Sequence, residues 1–193
     1  MRTKAFNHDE IVDAAMQVFW QLGYSATSIQ DLVDATGLSR SSLYNAFENK
    51  HGLYAQALRR YHELTARNIT LLQEPGPVKE LVRRLLMRIV NDELDGSAQR
   101  GCLAANAALE LAGPDDSITE LLAGNFLRLE KALEQALLRG QAEGEIASQK
   151  NPRALARFIV NTIQGLRVLS KGSARHQRRQ RLLDVLDITL DAL

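Results

Sequence analysis

The stretch SIQDLVDATGLSRSSLYNAF, residues 28–47, decides the reading of this chain. Ile29, Leu32 and Val33 recur at helical spacing and can pack inward, Gly37 supplies a turn, and Leu38 seals it. Ser39 then caps a second short helix anchored by Leu43 and Phe47. Two short helices joined through a glycine turn, the second with exposed polar residues at its N-terminus, are what a helix needs to enter the major groove of DNA. The residues left outward on the second helix are Arg40, Ser41, Ser42, Tyr44 and Asn45. Serine hydroxyls let a helix sit deep, arginine pairs with guanine or phosphate, asparagine reads adenine, and a tyrosine hydroxyl reaches phosphate.

Working outward, Ile11, Ala15, Val18, Phe19 and Leu22 form one stripe of a helix from about Asp9 to Leu22, stopped by Gly23. Thr27-Ser28-Ile29-Gln30 fits a capping box in which Thr27 caps and Gln30 reaches back. Lys50 or His51 opens a long helix to about Gln73, and Pro75-Gly76-Pro77 ends it. Beyond this point helices are predicted at about 77–94, 101–112, 117–142, 152–170 and 176–192, separated by Gly96, Gly113-Pro114, Gly144, Asn151-Pro152 and Gly172-Ser173. No segment alternates with period two, so the fold class is all-α. The predicted organisation is a helix-turn-helix domain over 1–50, a connecting helix over about 51–73, and a helical ligand-binding and dimerisation domain over 77–193.

Eight of the ten aromatic residues (Phe6, Phe19, Trp20, Tyr24, Tyr44, Phe47, Tyr54 and Tyr61) fall in the N-terminal part, as a small core requires bulky side chains. The net charge of +1 gives no global case for a polyanionic partner, and residues 1–50 carry more acids than bases. Placement carries the case instead: Arg40 lies on the proposed face, Lys50 at a helix mouth where free amides also meet anions, and Arg2 and Lys4 on an N-terminal arm. Thr27 at a helix start is a further phosphate candidate. With no apolar leader and no membrane-length run, the sequence predicts a cytoplasmic protein with no membrane partner. One cysteine, Cys102, excludes an intrachain disulfide framework. No metal-ligand spacing joins His8, His51, His62 and His176, and no phosphate-cradling glycine loop or nucleophile elbow is present, so neither a cofactor nor an enzyme is expected.

Ile11-Val12-Asp13-Ala14-Ala15 through Phe19, Gly23-Tyr24, Thr27-Ser28-Ile29, Gly37-Leu38-Ser39 and Ser42 through Lys50 together resemble the headpiece of TetR-type regulators over roughly residues 6–58. The resemblance implies that Thr27, Tyr44 and Lys50 hold phosphates while Arg40, Ser41, Ser42 and Asn45 face the bases. Val33 stands where that family usually carries alanine. The resemblance further implies a homodimer on double-stranded operator DNA, with repression relieved by a small effector.

It also implies that the last two helices pair with their counterparts in a second subunit. Their own pattern agrees: Leu155, Phe158, Ile159, Ile163, Leu166 and Leu169 form one stripe and Leu182, Leu183, Leu186 and Leu190 another, while Val160, Val168, Val185 and Ile188 lie off them. A helix apolar on more than one side must bury more than one side. Leu155, Ile159, Ile163, Leu166, Leu182, Leu186 and Leu190 are the dimerisation candidates.

In residues 101–112, Cys102, Asn106 and Glu110 recur every four residues on one face, which meets water or lines a polar cavity. The Arg100-Gly101-Cys102-Leu103 start resembles a branch of TetR-type regulators that carry a cysteine there, some of which respond to electrophiles. A small apolar or electrophilic effector is therefore expected, with Cys102, Asn106, Glu110, Phe126, Asn161 and Gln164 as candidate contacts. The basic run Lys171, Arg175, His176, Arg178, Arg179 and Arg181 spans a turn and reads as a solvated surface. A helical protein-binding adaptor is the alternative function, with a small all-α enzyme behind it. The adaptor leaves residues 28–47 unexplained.

Overall fold

The computed structural model describes residues 7–95, 100–111 and 115–193. These form ten helices: α1 (His8–Leu22), α2 (Ile29–Thr36), α3 (Arg40–Phe47), α4 (Lys50–Leu64), α5 (Ala66–Gln73), α6 (Val78–Leu94), α7 (Leu103–Leu111), α8 (Asp116–Ala142), α9 (Pro152–Gly172) and α10 (Arg175–Asp191). The all-α expectation holds. Arg2 and Lys4, and the Gly96 and Gly113-Pro114 breaks, lie outside the described residues. Among the described residues no helix is long and apolar enough to cross a membrane.

The chain divides into two compact units, Met1–Leu64 with Leu103–Leu122, and Thr65–Cys102 with Ala123–Leu193. In the first, α1 packs on α2 and α4, α3 on α2 and α4, and α7 on α1 and α4. Ala15, Phe19, Leu32, Leu53, Tyr54 and Ala57 are fully enclosed there. Aromatic contacts knit this core: the Phe19 and Tyr54 rings meet edge to face at 4.8 Å, Tyr24 lies 4.8 Å from Tyr54, and Trp20 meets Tyr61 at 5.0 Å. Each such pair adds about 0.5–1.5 kcal/mol beyond the area it buries, which is how a headpiece of short helices reaches stability.

Two features of this unit depart from the sequence reading. The cap of α2 is Ser28, not Thr27: the Ser28 hydroxyl accepts from the Asp31 amide (3.1 Å) and the Asp31 carboxylate accepts from the Ser28 amide (2.7 Å). Gln30 turns outward and donates to Asp34 (2.8 Å). Thr27 and Ser28 are both cap residues with a suitable partner three positions on, and the extended backbone at Ser28 selects the second pairing. The long helix expected from residue 50 to 73 is also broken, at Thr65, where the Asn68 amide bonds to the Thr65 carbonyl three residues back (3.0 Å). A single tightened turn carries no glycine or proline here, so periodicity alone reads straight through it.

In the second unit α6 is central, packing against α5, α9 and α10. Leu81, Leu85, Leu86, Ile89 and Val90 of α6 meet Leu133, Ala136 and Leu137 of α8, Ile159, Ile163 and Leu166 of α9, and Leu182, Leu186 and Leu190 of α10 in one continuous core. Pro152 opens α9 with Asn151 as its cap, the Asn151 side chain accepting from the Ala154 amide (3.0 Å). Ile159, Ile163, Leu166, Leu182, Leu186 and Leu190 are buried within their own chain and Leu155 packs half-buried against them. The apolar residues that α9 and α10 leave outward are Phe158, Val168, Leu169, Val185 and Ile188.

Candidate nucleic-acid interface

The site is built from the turn that links α2 to α3. Thr36 ends α2 with its hydroxyl on the Leu32 carbonyl (2.6 Å), and Gly37 follows with φ of 68°, a left-handed conformation that costs glycine nothing. The Gly37 amide closes on the Val33 carbonyl (2.9 Å), and Leu38 drops into the core. Val33 is accommodated half-buried on α2.

Ser39 caps α3: its hydroxyl oxygen accepts from the Ser42 amide (3.1 Å) and lies 2.9 Å and 2.8 Å from the Ser41 and Ser42 hydroxyls. Leu43 and Phe47 are buried beneath the helix, so its other face is fixed outward. Arg40, Ser41, Tyr44 and Asn45 stand exposed on that face and Ser42 is half-buried at its edge. The Arg40 guanidinium lies 5.8 Å from the Tyr44 ring centre, one helical turn on, within cation–π range. The helix stops at Glu48, a non-glycine residue at φ of 64° whose amide returns to the Tyr44 carbonyl (2.8 Å).

Lys50 is the first residue of α4, and its ammonium lies 4.4 Å from the Tyr24 ring centre. Partial burial holds the Lys50 ammonium below the usual lysine range, opposed by the charges of Glu110 and Asp31. The lysine thus stands at a helix N-terminus, where its charge adds to the positive end of the helix dipole and Asn49 Oδ1 accepts from the Gly52 amide (2.8 Å). Thr27 is buried, and its hydroxyl donates to the Gly23 carbonyl (2.6 Å), so the side chain braces the α1–α2 turn.

The effector candidates are not brought into one unit. Asn106 and Glu110 belong to the first, and Cys102, Phe126, Asn161 and Gln164 to the second. Cys102 is buried immediately before α7. Asn106, Phe126 and Gln164 are half-buried, and the Gln164 amide oxygen is shielded from solvent without a hydrogen-bond partner. Asn161 faces outward with its amide on the Arg157 carbonyl (2.8 Å). Glu110 is a structural clamp: its carboxylate accepts from the Tyr24 amide (3.2 Å) and the Ser25 amide (2.8 Å). Spacing put Glu110 on the correct polar face, but partners more than eighty residues away leave no signal in the local pattern. In the basic run, Arg178 is buried and donates to the Ser173 carbonyl (3.1 Å) while the other members are exposed, in keeping with a surface turn.

Residues 11–57 match the family described as bacterial regulatory proteins, tetR family, and residues 79–186 match the tetracyclin repressor-like C-terminal domain. The chain is 32% identical to the HTH-type transcriptional repressor ComR of Escherichia coli (strain K12) over 191 residues, covering 98% of this chain and 90% of that protein. It is 30% identical to the HTH-type transcriptional repressor DhaR of Mycobacterium sp. (strain GP1), covering all of this chain and 93% of that one. Among solved structures, a cysteine mutant of the TetR-family transcriptional regulator CifR, complexed with 26bp double-strand operator DNA, superimposes with a TM-score of 0.85 at 30% identity, covering 99% of both chains.

Proposed function

The chain belongs to the TetR family of bacterial regulatory proteins and is a transcription regulator of the repressor type, and from that premise we propose that it grips a two-fold-related operator as a homodimer and releases it on binding a small effector. The observation that carries this reading is the outward face of α3, where Arg40, Ser41, Tyr44 and Asn45 are exposed over a buried Leu43–Phe47 anchor. Arg40, Ser41, Ser42 and Asn45 read base edges in the major groove, and Tyr44 and Lys50 hold the backbone. Thr27 serves by bracing the turn that leads into α2.

A single small headpiece makes too few phosphate contacts for tight specific binding, so two are needed, one per half-site. Phe158, Val168, Leu169, Val185 and Ile188 supply the apolar surface that a second copy would cover. Release requires an effector that binds better to a dimer whose headpieces are wrongly spaced. A small apolar compound in the C-terminal unit, near Phe126 and Gln164, or an electrophile at Cys102 meets this requirement.

The test is electrophoretic retardation of a duplex that the protein itself selects from a random-sequence pool, repeated at rising salt. A regulator retards the duplex, and its log affinity falls linearly with log salt as counterions are released. Absence of any retarded species at low salt would leave the protein-binding adaptor as the better reading.

A further inference from the structure

The headpiece turn between α1 and α2 is held by a side chain from a distant part of the sequence. Gly23 has φ of 85° and its amide closes α1 on the Phe19 carbonyl (2.9 Å), after which the chain turns sharply toward α2. The next two amides, of Tyr24 and Ser25, point at the two carboxylate oxygens of Glu110, at 3.2 Å and 2.8 Å. This is a forked, charge-assisted grip of one carboxylate on two consecutive backbone donors. The approach is close: a methyl group built on Gly23 would stand 2.6 Å from the nearer Glu110 oxygen, so a side chain at residue 23 would shift the carboxylate from its present seat. Thr27 completes the turn by donating to the Gly23 carbonyl (2.6 Å). A second acidic tie lies in the same unit between different elements, with His51 in the first turn of α4 hydrogen-bonded through Nε2 to the Asp115 carboxylate just ahead of α8.

From this geometry we infer that Glu110 is a positioning residue for DNA recognition, an anionic latch by which α7 fixes the α1–α2 turn and thereby the α2–α3 pair. The inference rests on the DNA-binding reading above and goes further, by naming the side chain through which α7 holds the headpiece. The Tyr24 and Ser25 amides precede the Ser28 cap by a few residues, so freeing them loosens the point from which α2 is launched. The base-reading face of α3 is rigid only as far as α2 is, because the two share the Gly37 turn. A shift of α7 reaches this point directly through one carboxylate, with no side-chain chain of relays between them.

The experiment compares wild type, Glu110→Ala, Glu110→Gln and, as a control on the same helix, Leu109→Ala, whose side chain is 85% exposed. Amide hydrogen exchange resolved at Tyr24 and Ser25 is measured together with affinity for the self-selected duplex. In Glu110→Ala the two amides are expected to exchange at least about tenfold faster while those of Leu53 and Tyr54 in α4 keep their protection. Duplex affinity is expected to fall by about fivefold to tenfold, within the range of mutations that modulate coupling without touching the ligand. Glu110→Gln retains one acceptor oxygen and recovers part of both losses, which covers the case in which the alanine variant fails to fold; Leu109→Ala matches wild type. Unchanged exchange at Tyr24 and Ser25 in both Glu110 variants, or faster exchange with unchanged affinity, would overturn the positioning role. A wild-type protein that retains no duplex would overturn the regulatory reading itself, and that is seen before any variant is made.

Discussion

Ser170 of α9 donates its hydroxyl hydrogen to the carboxylate of Glu93 on α6, and the two residues are 0% and 3% exposed. Burial pushes the Glu93 carboxyl above its usual range, against the opposing pull of the Ser170 hydrogen bond and the charge of Arg167. A carboxyl whose folded pKa is raised contributes its full stability below the unfolded value, near about 4.3, and loses it as pH rises through the folded one. Wild type is therefore expected to lose stability from this group as pH rises out of the ordinary glutamate range toward neutrality. Glu93→Gln keeps an acceptor for Ser170 and removes the charge, so it should flatten that loss in thermal unfolding measured across pH. Ser170→Ala should lower stability by about 1–3 kcal/mol, because a buried carboxyl oxygen loses its donor. Identical pH profiles for wild type and Glu93→Gln would show that Glu93 is not desolvated as described.

Arg40 and Lys50 separate two kinds of contact with DNA. Lys50→Ala should weaken binding about evenly across duplex sequences and make the salt slope shallower by about one. Arg40→Ala should cost about 1–3 kcal/mol and also relax preference at one base pair of each half-site. Titration of the selected duplex and of its single-base variants reads both effects. An Arg40→Ala protein that keeps affinity and preference would remove α3 as the reading helix.

The helix-turn-helix was legible because its signals are local. Gly37, the Ser39 cap and the inward trio of Leu38, Leu43 and Phe47 all act within one turn of where they stand. The outward face of α9 was not, because periodicity finds apolar stripes without saying which one the chain covers by itself. Ile159 and Val168 are equally apolar, yet α6 and α10 enclose the first and leave the second exposed. Glu110 marks another limit: a four-residue spacing placed it on a polar face, but its partners are the backbone amides of a turn far away in sequence, and amides carry no residue-type signal. The Thr27–Ser28 ambiguity was intrinsic, since adjacent cap residues each had a suitable acceptor three positions on.

Cys102 allows the effector reading to be divided. It is buried immediately before α7, so modification of its sulfur would add bulk where close packing transmits strain instead of absorbing it. Wild type and Cys102→Ser are each treated with an alkylating agent and tested for duplex binding. An electrophile-responsive regulator loses affinity in the wild type alone. Equal binding by both proteins before and after treatment would confine the effector to reversible contacts.

Val168 and Ile188 test the subunit interface. They are 60% and 66% exposed on α9 and α10, whereas Ile163 and Leu186 on the same helices are sealed in the core, so the outer pair can be changed without opening the chain's own packing. A glutamate placed on either would bring an unpaired charge into the apolar surface that a second copy covers, which costs several kcal/mol. Val168→Glu and Ile188→Glu are therefore expected to raise the dimer dissociation constant about a hundredfold or more, with cooperative unfolding of the monomer retained. Affinity for a two-fold-related duplex should fall in step, because a lone headpiece holds half the site, whereas a duplex carrying one half-site should be bound no more weakly than by wild type. Leu109→Glu, a charge on a still more exposed residue of α7, should change none of these quantities. Sedimentation equilibrium and duplex titration on the same preparations read the two effects together. Were both variants to remain dimeric at micromolar concentration, the outward residues of α9 and α10 would not form the interface, and the pairing of headpieces would have to be built from another face.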